Sequence, residues 1–216
     1  MMRFETYGQD TVIMRASELT CRRGGRLLFK GLEFDFAGGQ LVALRGGNGT
    51  GKTSLLRMMA GLLEPFSGQV TGPGPAQTHY IAHQNGLKNR LTALENLSFW
   101  QDWLTPTQAI ARSCTMSCAQ ALEYAGLSDR MDLAAGDLSA GQKRRLSLAR
   151  LLVAPRPVWL LDEPDAALDE AGQSWLAEMM AAHIQAGGLA VVATHTPLSV
   201  ADEQVLLTGP SGKVTA

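Results

Sequence analysis

Four glycines, a lysine and three hydroxyls lie within the nine residues Gly46-Gly47-Asn48-Gly49-Thr50-Gly51-Lys52-Thr53-Ser54. Gly46, Gly51, Lys52 and Thr53 stand at the spacing G-x-x-x-x-G-K-[ST], the pattern of a loop that wraps phosphate. Glycine lets the backbone turn tightly and bring its N–H groups up to phosphate oxygens. A helix that starts after such a loop points the positive end of its dipole at the same anion. Lys52 would reach the β- and γ-phosphates, and Thr53 would place its hydroxyl on a magnesium ion. The plain alternative is a glycine-rich connection between a strand and a helix, with Lys52 solvated.

A second group able to do chemistry is the acid pair Asp162-Glu163, which ends the apolar run Leu160-Leu161. In phosphoryl-transfer sites built on a phosphate loop, the first such acid holds magnesium. Glu163 is then placed to orient or deprotonate an attacking water. Two solvated acids at a strand end are common by themselves, and less expected in a chain that also carries a phosphate loop.

These groups need elements to position them. Leu41 to Leu44 is continuously apolar, as a strand buried on both faces should be, and the helix after the loop should end near Gly61. Val158 to Leu161 and Leu189 to Ala193 are two more buried strands, on either side of a helix from Asp169 to Ala186. Val12 to Cys21 and Leu27 to Phe36 alternate as antiparallel strands do, with Gly24-Gly25 and Gly38-Gly39 as turns. Gly68 to Pro75 reads as turn-rich, and His79 to His83 as a short strand running into Gln84. From Gly86 to Leu152 the character is helical; Thr105 is a candidate N-cap before Pro106, with Gly126 closing that helix. Met1 to Thr11 is polar and patternless. The expected architecture is an α/β core of residues 12–85 and 153–208, interrupted by a helical subdomain of 86–152 within one domain.

Size and composition narrow the classes. The 216 residues are 45% hydrophobic with a formal net charge of −1, which suits a single folded domain and gives no field for nucleic acid or anionic lipid. No apolar run approaches the roughly 20 residues that cross a bilayer, and Met1 to Asp10 lacks the apolar centre of a secretory signal. The three cysteines, Cys21, Cys114 and Cys118, fit a reducing compartment. Cys114 and Cys118 share a helical stripe with Ile110, Leu122 and Ala125, so small core residues are expected rather than a metal site. His79 and His83, four apart on a strand, would stand roughly 13 Å apart and could not share an ion. His183 is expected to pack, or to be partly solvated, among Leu176, Met179, Met180 and Ile184.

Taken together the motifs identify a resemblance. From Val12 to Thr208 the chain is similar to the ATP-binding subunit of an ABC transporter. Leu138-Ser139-Ala140-Gly141-Gln142 looks like the family signature LSGGQ with one glycine replaced by alanine. Gln84 looks like the Q-loop glutamine, Asp162-Glu163 like the Walker B acid and catalytic glutamate, Ala166-Ala167-Leu168-Asp169 like the D-loop, and His195 like the switch histidine. The resemblance implies a P-loop NTPase of ABC type: a RecA-like mixed sheet with an antiparallel β subdomain and an inserted helical subdomain. It implies ATP held by Gly46 to Ser54, magnesium held by Thr53, Gln84 and Asp162, and catalysis by Lys52, Gln84, Glu163 and His195. Ser139, Gly141 and Gln142 would close over the nucleotide of a second copy in a head-to-tail, ATP-dependent homodimer. Arg23 occupies the position where the family usually stacks an aromatic ring on adenine, a departure that a guanidinium can partly cover.

Four stretches narrow the resemblance to the ATP-binding subunits of cytochrome c biogenesis: His83 to Lys88, Leu91 to Leu97, Gly141 to Arg145, and Trp159 to Pro164. That subfamily implies integral membrane partners, a place on the cytoplasmic side of a bacterial inner membrane, and ATP turnover coupled to haem export or to release of a haem-loaded periplasmic chaperone. The stretch from Lys88 to Trp100 lies where the family docks its membrane subunits. No haem-ligand pattern stands out, so direct haem binding is not expected. The alternatives are a motor for another small molecule, or a soluble switch driven by ATP-dependent dimerisation.

Overall fold

The computed structural model describes residues 4, 6–7, 12–104, 116–195, 203–207 and 213–214. A long hairpin comes first: β1 (Ile13–Arg23) pairs antiparallel with β2 (Arg26–Ala37) through a turn in which Gly24 and Gly25 both have positive φ. Its inward row, Met14, Ala16, Leu32, Phe34 and Phe36, is buried, as the alternation requires. β4 (Ser67–Thr71) adds to the other edge of β1, although Gly68 to Pro75 reads as turn in the sequence. Its residues Ser67, Gly68, Gln69 and Thr71 are exposed, so this edge strand carries no hydrophobic period to find. Gly68 passes so close to β1 that an added Cβ would stand 2.3 Å from the Glu18 carbonyl oxygen.

The second sheet has the order β5-β6-β7-β3-β8-β9. β5 (Thr78–Ile81), β6 (Val158–Asp162), β7 (Leu189–Ala193), β3 (Leu41–Arg45) and β8 (Glu203–Leu206) run parallel, and β9 (Lys213–Val214) closes the edge antiparallel to β8. β3, β6 and β7 are buried on both faces, and their residues alternate between two cores. Val42, Leu44, Leu160 and Val191 face the antiparallel sheet and α1 (Lys52–Met59). Trp159, Leu161, Ala190 and Val192 face the other helices.

Among the described residues, 86–152 holds α2 (Ala93–Leu104), α3 (Cys118–Tyr124) and α4 (Ala140–Val153), which pack on one another. The expected N-cap at Thr105, together with Ile110 and Cys114, lies outside the described residues. The helix that Gly126 closes has its own start at Ser117, whose hydroxyl accepts from the Gln120 N–H while the Gln120 side chain accepts from the Ser117 N–H. Cys118 is buried and gives its thiol hydrogen to Gln101. α5 (Glu170–Gln185) follows the expected span, with Asp169 as its cap.

Two described residues near the beginning of the chain are packed, although the sequence around them shows no pattern. Phe4 and Tyr7 meet the His183 ring edge-on at 5.7 and 5.6 Å, and the Tyr7 N–H donates to the Ala186 carbonyl. His183 is fully buried rather than partly solvated; its ring lies flat on Trp159 at 3.8 Å, where burial pushes its pKa down to about 3. No described helix is long and apolar enough to cross a membrane.

Candidate functional site

The C-terminal ends of four adjacent parallel strands build the site, where open α/β sheets bind their ligands. β3 leads into the glycine loop, β7 into Thr194-His195, β6 into Glu163, and β5 into His83-Gln84. The pairing keeps these ends level: Leu44 stands opposite Ala193, Ala193 opposite Asp162, and Leu161 opposite Ile81.

In the loop, Gly46, Gly49 and Gly51 hold φ of 142°, 76° and 110°. Side chains are excluded at two of them. A Cβ on Gly46 would stand 2.5 Å from the Leu207 carbonyl oxygen, and one on Gly51 would meet the Phe29 ring at 3.0 Å. Gly51 caps α1, so the first N–H groups of that helix open into the loop. Lys52 is buried and its ammonium donates to the carbonyls of Gly46 and Gly47 at 2.7 and 3.2 Å, which holds it along the rim. Thr50 donates to the Gly47 carbonyl. The loop encloses a cavity of about 190 Å³ lined by Gly47, Asn48, Gly49, Gly51, Lys52, Thr53 and Ser54, with Leu28 on one side and Glu163 on the other.

Asp162 is buried at the end of β6, and burial pushes its carboxyl pKa up; a hydrogen bond from the Thr53 hydroxyl works in the opposite direction. Glu163 has φ 51°, a left-handed conformation uncommon for a residue with a side chain, and its N–H donates to the Ala193 carbonyl. That turn sends its carboxylate between two histidines. His83 Nδ1 stands 3.1 Å from Glu163 Oε2, and His195 Nε2 stands 3.6 Å from Oε1.

Other expected residues stand apart from this cavity. Gln84 is exposed beyond the end of β5, and Arg23 is exposed at the end of β1; neither lines it. Ser139, Gly141 and Gln142 head α4, away from it. Ser139 accepts from the Gln142 N–H, and the Gln142 side chain accepts from the Ser139 N–H. The Ser139 oxygen is thus committed to its own helix, and the N–H groups of Ala140 and Gly141 form the positive end. Gly141 cannot be larger: a Cβ would stand 2.8 Å from the Ala167 carbonyl oxygen.

Comparison with known proteins gives the family. The sequence pattern of the ABC transporter family matches residues 29–166. The chain belongs to the ABC transporter family. The cytochrome c biogenesis ATP-binding export protein CcmA of Rhodopseudomonas palustris strain HaA2 is 47% identical over 196 residues, covering 87% of this chain and 94% of that protein. CcmA of Nitrobacter hamburgensis is 48% identical over 198 residues, covering 88% and 96%. An ATP-binding cassette solved as a dimer in a post-hydrolysis state with ADP and Pi superposes with a TM-score of 0.79 at 21% identity, over 93% of this chain and 96% of that one.

In this ABC transporter chain, two contacts escape a reading of motifs. His83 reads as a strand residue too far from His79 to act with it. β5 ends at Ile81, however, which frees His83 to turn toward Glu163. Arg144 sits in a run of cations, Lys143-Arg144-Arg145, that suggests a solvated helix face, yet it is 2% exposed. Burial at a helical spacing from Leu148 and Leu151 is the only signal that could have marked it.

Proposed function

We propose that this chain is the ATP-hydrolysing motor subunit of a membrane ABC complex for cytochrome c biogenesis, coupling ATP turnover to haem export or to release of a haem-loaded periplasmic chaperone. The observation that carries the hydrolytic half is a single cavity lined both by the glycine loop and by Glu163. The identity of 47–48% to proteins named for cytochrome c biogenesis supports the other half.

In this reading Gly46 to Ser54 take the phosphates of ATP, with the loop N–H groups, the α1 terminus and Lys52 as donors. Thr53 and Asp162, already hydrogen-bonded to each other, are a hydroxyl and a carboxylate of the kind that magnesium selects, and Gln84 supplies a third oxygen when it turns inward. Held by Thr53, Asp162 and Gln84, magnesium would supply neutralisation of the charge developing on the β- and γ-phosphates. Glu163 orients a water for in-line attack on the γ-phosphorus and takes its proton, while ADP leaves. His195 steadies the same carboxylate. Ser139, Gly141 and Gln142 complete the site of a second copy packed head to tail, and Arg23 lies beside the base. Residues 86–152 form the helical subdomain that carries this signature end, and 12–85 with 153–208 form the catalytic core.

A membrane partner has a surface to use. A hollow of about 470 Å³ lies between the end of α1, β5 and α2, walled by Leu62, Tyr80, Trp100, Trp103, Arg150 and Arg156. Trp103 and Leu62 are 69% and 64% exposed, and the Lys88 ammonium sits 3.6 Å over the Phe99 ring beside them. Docking here would hold the chain at the cytoplasmic side of the inner membrane without a spanning helix. Haem itself is not expected to touch this chain.

The deciding experiment is a haem stain of c-type cytochromes in cells whose only copy carries Glu163→Gln. Mature cytochromes should vanish while haem stays attached to the periplasmic chaperone. Normal cytochrome maturation would assign the motor to another transport system.

A further inference from the structure

Arg144 reaches both the turn that carries Glu163 and the segment that carries Gln84. It lies on the second turn of α4, and its guanidinium is buried where helix, β5 and β6 meet. Nη2 donates to the carbonyls of Asp162 and Glu163 at 2.9 and 2.6 Å, and Nε to that of Pro164 at 3.1 Å. Nη1 donates to the Ala82 carbonyl at 2.9 Å and to Asn85 Oδ1 at 3.2 Å. These contacts occupy the five N–H donors that a guanidinium owns.

The arrangement has a consequence for the carboxylate. Three successive carbonyls, from Asp162 to Pro164, converge on one cation, a geometry that a regular strand cannot offer because its carbonyls alternate in direction. The turn is obtained by the left-handed φ of Glu163, a conformation that persists only where its surroundings hold it. The same cation grips the chain on both sides of His83-Gln84. One guanidinium therefore sets both partners of the His83–Glu163 contact. Ser147, one turn along α4, adds a bond from its hydroxyl to the Asn85 carbonyl at 2.9 Å.

We infer that Arg144 is a positioning residue for hydrolysis. It aims the Glu163 carboxylate through the backbone, and it ties that aim to the placement of α4, whose N-cap is Ser139. The cation touches no reacting atom. An ordinary helix-to-core tether would need one or two bonds to any carbonyl; this one spends all five on the two segments that flank the acid. Lysine keeps the charge but has three donors on a single nitrogen and cannot span both segments. The inference rests on the reading of Glu163 as the catalytic carboxylate.

The test measures steady-state ATP hydrolysis and the affinity for a fluorescent ATP analogue in the full-length chain, for Arg144→Lys, Arg144→Gln and Glu163→Gln. Single-turnover release of labelled phosphate is then compared for Glu163→Gln with and without Arg144→Lys. Arg144→Lys should lower kcat at least tenfold with analogue affinity within threefold of wild type, because the loop and Lys52 are untouched. In the Glu163→Gln background the same substitution should change phosphate release by less than twofold, since no carboxylate remains to be aimed. Equal falls in both backgrounds, an unchanged kcat, or loss of analogue binding or folding in both Arg144 variants would make Arg144 a structural tether and overturn the inference. Wild-type turnover by Glu163→Gln alone would instead overturn the reading of the acid.

Discussion

Lys52 and Glu163 line one cavity, and they are set by opposite means. Lys52 is a flexible side chain pinned by two loop carbonyls, so its ammonium is poised rather than fixed. Glu163 is fixed by its backbone, through a left-handed turn and an N–H bonded to Ala193. Lys52→Ala should therefore cost binding. A charge-assisted hydrogen bond contributes about 1.5–3 kcal/mol, so the ATP dissociation constant should rise roughly ten- to hundredfold. Isothermal titration with ATP checks this, and unchanged affinity would remove the loop from the nucleotide site. The spacing of Gly46, Gly51, Lys52 and Thr53 suffices to read these residues, because each needs only its neighbours in the chain. His83 and Arg144 are invisible at this scale. Their partners are 80 and 19 residues away from them along the chain in the case of Glu163.

At the scale of elements, α4 shows how a departure from a family pattern can be harmless at one position and not at the next. Ala140 is the first residue of α4, in ordinary helical conformation with room for its methyl, so alanine in place of glycine there costs nothing visible. Gly141, one step on, faces the Ala167 carbonyl across the gap between α4 and the turn before α5. Gly141→Ala should destabilise the chain by about 1–3 kcal/mol, the cost of overpacking a close approach. Chemical unfolding of the variant measures it, and a change below a few tenths would show that the turn at Ala167 yields freely. The elements themselves divide by the strength of their patterns. β3, β6 and β7 are legible as buried runs, and α5 as a capped helix. β4 is not, since an exposed edge strand pairs through its backbone alone and needs no apolar side chain.

The whole molecule buries two histidines in neutral form, His79 against the Ala154 carbonyl and His183 between Trp159 and the beginning of the chain. Burial holds His183 at about 3, below the usual imidazole range, and lowers His79 as well. The unfolded chain protonates these rings below about pH 6.5, whereas the folded chain resists until far lower. Their contribution is therefore complete above about pH 6.5 and is lost progressively as the pH falls below it, for His183 down to about 3, since the unfolded state binds more protons there. His183→Phe keeps a ring on Trp159 and should flatten the fall of the unfolding midpoint between pH 6.5 and 4.5. A variant with the same slope as wild type would place the acid sensitivity elsewhere.

The amino-acid sequence by itself pointed to the segments that are candidates for chemistry: the glycine loop after β3, the acid pair at the end of β6 and the serine-headed α4, whereas His195 after β7 came only with the family resemblance. Each depends on local rules, such as a glycine where φ is positive, a hydroxyl where a helix begins, or an unbroken apolar run where a strand is covered on both faces. Only the tertiary structure decided their neighbours. β7, which follows β6 through α5 but lies far from β3 in sequence, inserts between β3 and β6 and brings His195 to Glu163. The burial of Arg144 among five acceptors, and the packing of Phe4 and Tyr7 against His183, follow from the same cause. Strand order and inter-element packing are settled by burying whole faces against one another, and no window of the sequence records which face will meet which.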